Sequence, residues 1–311
     1  YKEAKNRTFT DEFPEHDPDC PFCPGNEELD LETERISRSG EWQVRSVYNK
    51  YPALMKDEKL VRSFDGVQRL MTGAGHHEVL IEHPKHNTCP ALMTPAENAA
   101  AIELFYNRGW AIQKDARIEQ IIYFENHGRR AGASLQHPHG QIIALPVVPR
   151  DIRRMAGEAW RYFDDTGECV FCMMLKEELQ REERLVAETE HFVAFVLYAA
   201  LSPFHIWIFP RRHSVNFLYT TAEERADLGG ILRNVLRRLY IGLRDPAYNT
   251  LIRTAPVKQL DNEYFHWYIS IVPRLSRTAG FELGSGMFIN PTLPEACAAF
   301  LRGVRLGEGA L

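Results

Sequence analysis

Gly132-Ala-Ser-Leu-Gln-His137-Pro-His139-Gly-Gln141-Ile-Ile-Ala-Leu145 is the stretch around which the rest of the chain is organised. Polar residues at 137, 139 and 141 share one parity, and the apolar run after them is closed by Pro146 and Pro149. This pattern predicts a strand presenting two imidazoles and a carboxamide on one face. Histidine on an exposed sheet face is common and by itself says little. Gly140 argues for more, because glycine inside a strand gives up packing and backbone entropy and often marks close approach by another backbone or a ligand.

A chain of 311 residues, 44% hydrophobic and 25% charged, can bury a sizeable core as one large domain or two of about 150 residues. The net charge of −5 supplies no basic field, so nucleic acid is not an expected partner and an anionic ligand needs a local site. No apolar run approaches the roughly 18 residues of a membrane span, and the N-terminal Tyr1-Lys-Glu-Ala-Lys-Asn-Arg lacks a signal-peptide core. No membrane association and a cytoplasmic location are therefore expected, and the start at Tyr1 without Met suggests a leader outside the sequence. Six cysteines are too few for a disulfide scaffold; four of them form two Cys-x-x-Cys pairs, and Cys89 and Cys297 read as ordinary thiols.

In chain order, Cys20-Pro-Phe-Cys23 forms a tight turn able to offer two thiolates to one metal. Strands are expected over Trp42–Tyr48, Glu78–Glu82 and Glu119–Phe124, and a helix over Pro95–Ile118. The pattern then restarts. Cys169-Val-Phe-Cys172 repeats the first pair but for one residue, and the strand His205–Phe209 runs into Pro210-Arg-Arg-His213 as Glu78–Glu82 runs into His83-Pro-Lys-His86. A helix is expected from Thr221 to Arg244, and Tyr264–Pro273 parallels the opening stretch. His86 and His137 stand 51 residues apart, and His213 and His266 stand 53 apart. Agreement across four landmarks implies an internal duplication, with a boundary near residue 150 separating halves 1–150 and 151–311.

Each half offers a Cys₂His₂ set, Cys20, Cys23, His86 and His137 in the first and Cys169, Cys172, His213 and His266 in the second. A closed set of two thiolates and two imidazoles suits structural zinc, so two zinc sites per chain are expected. If His137 and His266 are equivalent, the residue two places on is His139 in the first half and Tyr268 in the second, and Gln141 becomes Ser270. The first half then carries the chemistry and the second is a degenerate scaffold. Asn126, Gly128, Gly132 and Ser134 precede the strand; glycines let backbone N–H groups approach an anion, and Asn and Ser add neutral donors, a lining suited to phosphate. Arg129 and Arg130 either add charge there or form a solvated turn. Beside a phosphate, His139 can act as base or as nucleophile, and the second route gives a phosphoramidate. Its other ring nitrogen then needs an acceptor, for which the backbone carbonyl of His137 is placed. Gln141 can bind a phosphoryl oxygen but cannot protonate a poor leaving group, so the leaving group should depart unaided, as a phosphate or sugar phosphate does.

These motifs, Cys20-Pro-Phe-Cys23, Phe124-Glu-Asn-His-Gly128, Gly132-Ala-Ser134 and His137-Pro-His-Gly-Gln141, with the duplicated half, resemble the galactose-1-phosphate uridylyltransferase branch of the histidine-triad superfamily. The resemblance implies an α+β fold of two tandem histidine-triad-like halves with antiparallel sheets and flanking helices, a homodimer, and a role in galactose or wider carbohydrate metabolism. It further implies ping-pong transfer in which His139 takes a nucleotidyl group from a nucleotide sugar and passes it to a second phosphate acceptor. On the same resemblance Gln141, Ser134 and Asn126 hold phosphate and Asn49 lies near the nucleoside. Asn49-Lys-Tyr51 stands where the galactose enzymes have Asn-Asp-Phe, and Phe281-Glu282 replaces their Tyr-Glu pair. Ala279–Asn290 and Ala144–Pro149 look more like a plant-type ADP-glucose phosphorylase, which transfers adenylyl to free phosphate. Hexose 1-phosphate is thus the first expected acceptor and inorganic phosphate the alternative. A histidine-triad nucleotide hydrolase and a non-catalytic zinc-stabilised module are further readings; Gln141 disfavours the one and the asymmetry of the halves the other.

Overall fold

The structure is a computed structural model and describes residues 13–259, 262–276 and 278–307. The N-terminal run read for a signal peptide lies outside them. The first half lays down β1 (Glu32–Arg38), β2 (Glu41–Tyr48), a separate hairpin of β3 (Arg62–Asp65) and β4 (Gln68–Met71), β5 (His76–Ile81), α1 (Pro95–Ile112), β6 (Gln120–His127) and β7 (His139–Leu145). Helices α2 (Arg150–Thr166) and α3 (Val170–Arg181) lead into β8 (Leu185–Glu188), β9 (Phe192–Val196), β10 (Ile206–Pro210), α4 (Ala222–Leu243), β11 (Tyr248–Arg253) and β12 (Tyr268–Pro273). Two short helices, α5 (Gly280–Ser285) and α6 (Pro294–Gly303), follow.

Ten strands form one sheet in the order β1-β2-β5-β7-β6-β11-β12-β10-β9-β8, and every adjacent pair is antiparallel. From its centre outward, β6-β7-β5-β2-β1 is matched by β11-β12-β10-β9-β8, so the duplication is written into the strand order. The two sheets expected from sequence are fused into one along the β6–β11 seam, where Asn126 faces Asn249 and His127 faces Tyr248.

Both long helices start at capping boxes, Thr94 with Glu97 and Thr221 with Glu224, which satisfy the first orphan N–H groups. They cover one face of the sheet. Leu228, Ile231, Val235, Leu236 and Leu239 of α4 are buried with Leu104, Phe105 and Ile112 of α1, and each such side chain contributes about 1.5–3 kcal/mol. The helices cross closely at Gly229, where a Cβ would stand 2.6 Å from the Pro95 carbonyl oxygen. Ion pairs fix the layers: Arg108 of α1 donates twice to Glu78 of β5 at 2.8 Å, and Arg225 of α4 reaches Glu103 of α1 at 2.6 Å.

Helix α1 stops at Ile112, six residues before the sequence expectation. The Asp115 carboxylate accepts the Arg117 backbone N–H at 3.0 Å and its guanidinium at 2.9 Å, and this local side-chain bonding competes with continued helix. Strand β7 begins at His139 and β12 at Tyr268, each later than expected. Pro138 has no N–H for a ladder, and His137 and His266 turn toward the cysteines instead.

Candidate active site and metal centres

The register separates the two faces of β7. Gly140 pairs with Leu80 and Glu125 on the helix-covered face, whereas His139 pairs with Ile81, and Gln141 with Val79 and Phe124, on the other. Gly140 is demanded by that packing: a Cβ there would fall 2.3 Å from Phe105 Cζ and 3.0 Å from Glu82 Oε1. The glycine that hinted at close approach marks a helix pressed against the back of the strand.

His139 is 7% exposed. Its Nδ1–H donates to the His137 carbonyl at 2.8 Å, which leaves Nε2 with a free lone pair. Burial lowers its pKa, so the ring is held as the neutral, nucleophilic form. Phe22, from the first Cys-x-x-Cys turn, packs against the His139 ring with centroids 5.4 Å apart. A cavity of about 460 Å³ is lined by His139, Gln141, Ser134, Asn49, Phe22 and Arg45, among others.

Asn126 lies elsewhere. It lines a second cavity of about 390 Å³ with Asn249, Arg253, Arg274 and Glu282, and its Oδ1 accepts from Asn249 Nδ2 at 2.7 Å. Gly128 and Gly132 hold positive φ values of 78° and 96° at the two ends of a 3₁₀ turn. The N–H groups of Ala131 and Ala133 donate to the Gly128 carbonyl and that of Gly132 to the Arg129 carbonyl. Those amides are therefore spent within the loop, and of the loop residues read as a phosphate cradle Ser134 is the one in the His139 cavity. Arg129 and Arg130 are exposed. His77 was not singled out from sequence, yet it contacts both Asn49 and Gln141. Its parity with Val79 on β5 was the available signal.

The first set of candidate metal ligands assembles from three separate places in the chain, the Cys20–Cys23 turn, His86 and His137. One ligand atom each from Cys20, Cys23, His86 and His137 lies within 4.8 Å of the others, and all four residues are buried. Cys23 Sγ stands 3.5 Å from Nδ1 of both His86 and His137. A tetrahedral zinc with ordinary bond lengths sets sulfur and nitrogen ligands roughly 3.6 Å apart, so the donor set fits that ion. His137 Nε2–H donates to the His83 carbonyl at 2.7 Å, fixing the tautomer that frees Nδ1 for a metal. Burial drives the His137 imidazole down to about 3 and the Cys20 thiol up to about 11. In the second half one ligand atom each from Cys169, Cys172 and His213 lies within 4.8 Å of the others, while His266, expected as the fourth ligand, falls outside that group although its Nδ1 lies 3.5 Å from Cys172 Sγ. Here Cys169 caps α3, whereas Cys20 sits on a hydrogen-bonded turn.

His139, buried and with Nε2 bare, shares its cavity with the Gln141 carboxamide and lies in the first of two matched halves of one sheet. The galactose-1-phosphate uridyl transferase N-terminal domain model matches residues 1–149 and the C-terminal domain model residues 156–283. The chain belongs to the galactose-1-phosphate uridylyltransferase family and is a nucleotidyltransferase. It is 36% identical to the ADP-glucose phosphorylase of Arabidopsis thaliana over 293 residues, covering 92% of this chain and 82% of that one. It is 32% identical to the galactose-1-phosphate uridylyltransferase of Thermotoga maritima over 294 residues, covering 91% and 89%. The crystal structure of the Arabidopsis thaliana ADP-glucose phosphorylase with bound ADP-glucose superposes with a TM-score of 0.83 at 34% identity, covering 95% of this chain and 92% of that one.

Proposed function

We propose that His139 carries a nucleotidyl group between a nucleotide sugar and a phosphate-bearing acceptor, and that Gln141 holds the phosphoryl oxygens during transfer. The observation that carries this reading is the His139 Nδ1–H bond to the His137 carbonyl, which bares Nε2 toward the cavity. In the first step Nε2 attacks the α-phosphorus, the bond from that phosphorus to the bridging oxygen breaks, and hexose 1-phosphate leaves with the electron pair. That leaving group is already a stable anion, so a carboxamide at 141 suffices where an acid would otherwise be needed. In the second step an acceptor phosphate oxygen attacks the same phosphorus and Nε2 departs. Ser134 and Asn49 bind in the same cavity; Gly128 holds the neighbouring loop directly, and Asn126 is tied to it through Asn249.

Hexose 1-phosphate as acceptor, with uridylyl transferred, is the reading the family match supports. Adenylyl transfer to inorganic phosphate is supported by the 36% identity to an ADP-glucose phosphorylase and by the Ala144–Pro149 and Ala279–Asn290 segments. Incubation with UDP-glucose and ADP-glucose labelled in the nucleotide phosphate separates them by which one leaves acid-labile, base-stable label on His139. No label from any nucleotide sugar overturns both.

The first half, residues 1–150, holds this centre, and 151–311 is its scaffold. Each Cys₂His₂ set holds one structural zinc, a reading supported by the four clustered donors of the first half and by the three of the second with His266 Nδ1 3.5 Å from Cys172 Sγ. The chain acts as a homodimer: Phe64, Val67 and Leu70 on the β3–β4 hairpin are exposed at 74%, 101% and 47%, an apolar arm suited to a second copy. Its place is the cytoplasm, consistent with reduced thiols; among the described residues no helix is long and apolar enough to cross a membrane.

A further inference from the structure

His77 sits on β5 two residues from Val79, on the face that carries Gln141, and is 8% exposed. Its ring is engaged from two sides. Nδ1 accepts the Ala53 backbone N–H at 3.0 Å, and Nε2 stands 3.0 Å from Gln141 Oε1. A backbone amide can only donate, so Nδ1 is the bare nitrogen and Nε2 carries the proton. That N–H donates to Gln141 Oε1 and leaves the carboxamide NH₂ as the end presented to the cavity.

The direction matters because a carboxamide has one end that attracts a phosphoryl oxygen and one that repels it. We propose that His77 is a positioning residue that fixes the orientation of Gln141, so that its NH₂ and not its carbonyl meets the phosphate; this rests on the nucleotidyl-transfer reading above. Asn49 Nδ2 also lies 3.1 Å from His77 Nε2, but the Asn49 carbonyl is held by the Tyr51 N–H at 2.8 Å. With Nε2 protonated that contact joins two donors and is no hydrogen bond, so the Asn49 amide is left to serve a ligand.

The second half shows why the partner residue decides. Trp207 faces Ser270 across β10–β12 as Val79 faces Gln141 across β5–β7, so His205 occupies the place of His77. His205 Nε2 is 2.8 Å from Ser270 Oγ, yet the ring meets an N–H donor on each nitrogen, Leu201 at 3.3 Å and the Trp207 indole at 3.1 Å. A hydroxyl can donate or accept and tolerates either tautomer. A carboxamide can meet the other tautomer only by turning over, which would aim its carbonyl at the cavity, and at this position only the first half has one.

The proposal is tested in two arms. Long-range proton–nitrogen NMR of the full chain, with His77 assigned by its loss in His77→Gln, is expected to show Nδ1 bare and Nε2 protonated at neutral pH; the opposite tautomer overturns the proposal whatever reaction the protein performs. In the kinetic arm, His77→Leu is expected to slow formation of the nucleotidyl-His139 species about 10–100-fold, the usual cost of losing an orienting partner. His77→Gln, whose NH₂ can donate as Nε2–H did, restores most of that rate. In a Gln141→Ala background His77→Leu costs less than about twofold, because the residue acts through Gln141. An equal loss in both backgrounds, or no rescue by Gln in a variant that melts like the parent, overturns the proposal. Absence of label in the parent protein overturns nucleotidyl transfer alone, and the NMR arm still decides the tautomer.

Discussion

His139 and Gly140 are neighbours with opposite duties. One faces the cavity with a bare Nε2; the other faces the helices with no side chain at all. His139→Asn keeps a donor for the His137 carbonyl but removes the nucleophile. It should cut transfer by at least about 10³-fold, read by label incorporation, while the melting midpoint stays within a few degrees of the parent. Gly140→Ala attacks the same strand from behind. It should destabilise by about 1–3 kcal/mol through overpacking against Phe105, read by denaturant midpoint. Glu125, opposite Gly140, has its carboxyl pushed up to about 7 by burial. A pKa raised in the folded state means the group favours folding while protonated, and that stability is lost as pH rises from roughly 4 to 7. Glu125→Gln keeps an acceptor near the Tyr248 hydroxyl and cannot ionise. The variant should therefore melt like the parent near about pH 4 and above it near about pH 8.

At the scale of elements, the Cys20–Cys23 turn links a cluster able to hold a metal to the wall of the His139 cavity. Pro21 and Phe22 between the cysteines line the His139 cavity, and Phe22 leans on the rings of both His137 and His139. The matching Cys169–Cys172 segment instead opens α3, and its Phe171 packs on Phe265, Phe209 and Tyr268 in the core, away from the His139 cavity. Cys20→Ser should therefore lower metal content, stability and transfer together, whereas Cys169→Ser should lower metal content and stability with a smaller loss of transfer per folded molecule. Metal analysis, melting and single-turnover labelling check the three quantities; equal effects on transfer would refute the link. These elements were legible in sequence where the pattern was periodic or repeated: the paired cysteines, the strand-end histidines and the α4 apolar face. What escaped was set by contacts distant in sequence. The end of α1 depends on Asp115 and Arg117, the late start of β7 on where His137 points, and the role of His77 on a backbone amide 24 residues away. Asn126 shares a loop with Ser134 in sequence, but the seam with Asn249 draws it into the neighbouring cavity.

On the scale of the molecule, one sheet serves two unequal halves. The second half supplies β11, which covers β6, and Asn249, whose Nδ2 donates to Asn126 Oδ1 at 2.7 Å and to the Ala131 carbonyl at 2.8 Å. The seam also sets a timetable for synthesis. Strand β6 is complete at His127 and its partner β11 begins at Tyr248, so about 120 residues must be added, at roughly 5–20 residues per second, before the edge can close. For about 6–24 seconds each nascent chain carries an open strand edge one strand away from His139, the kind of edge that recruits other strands.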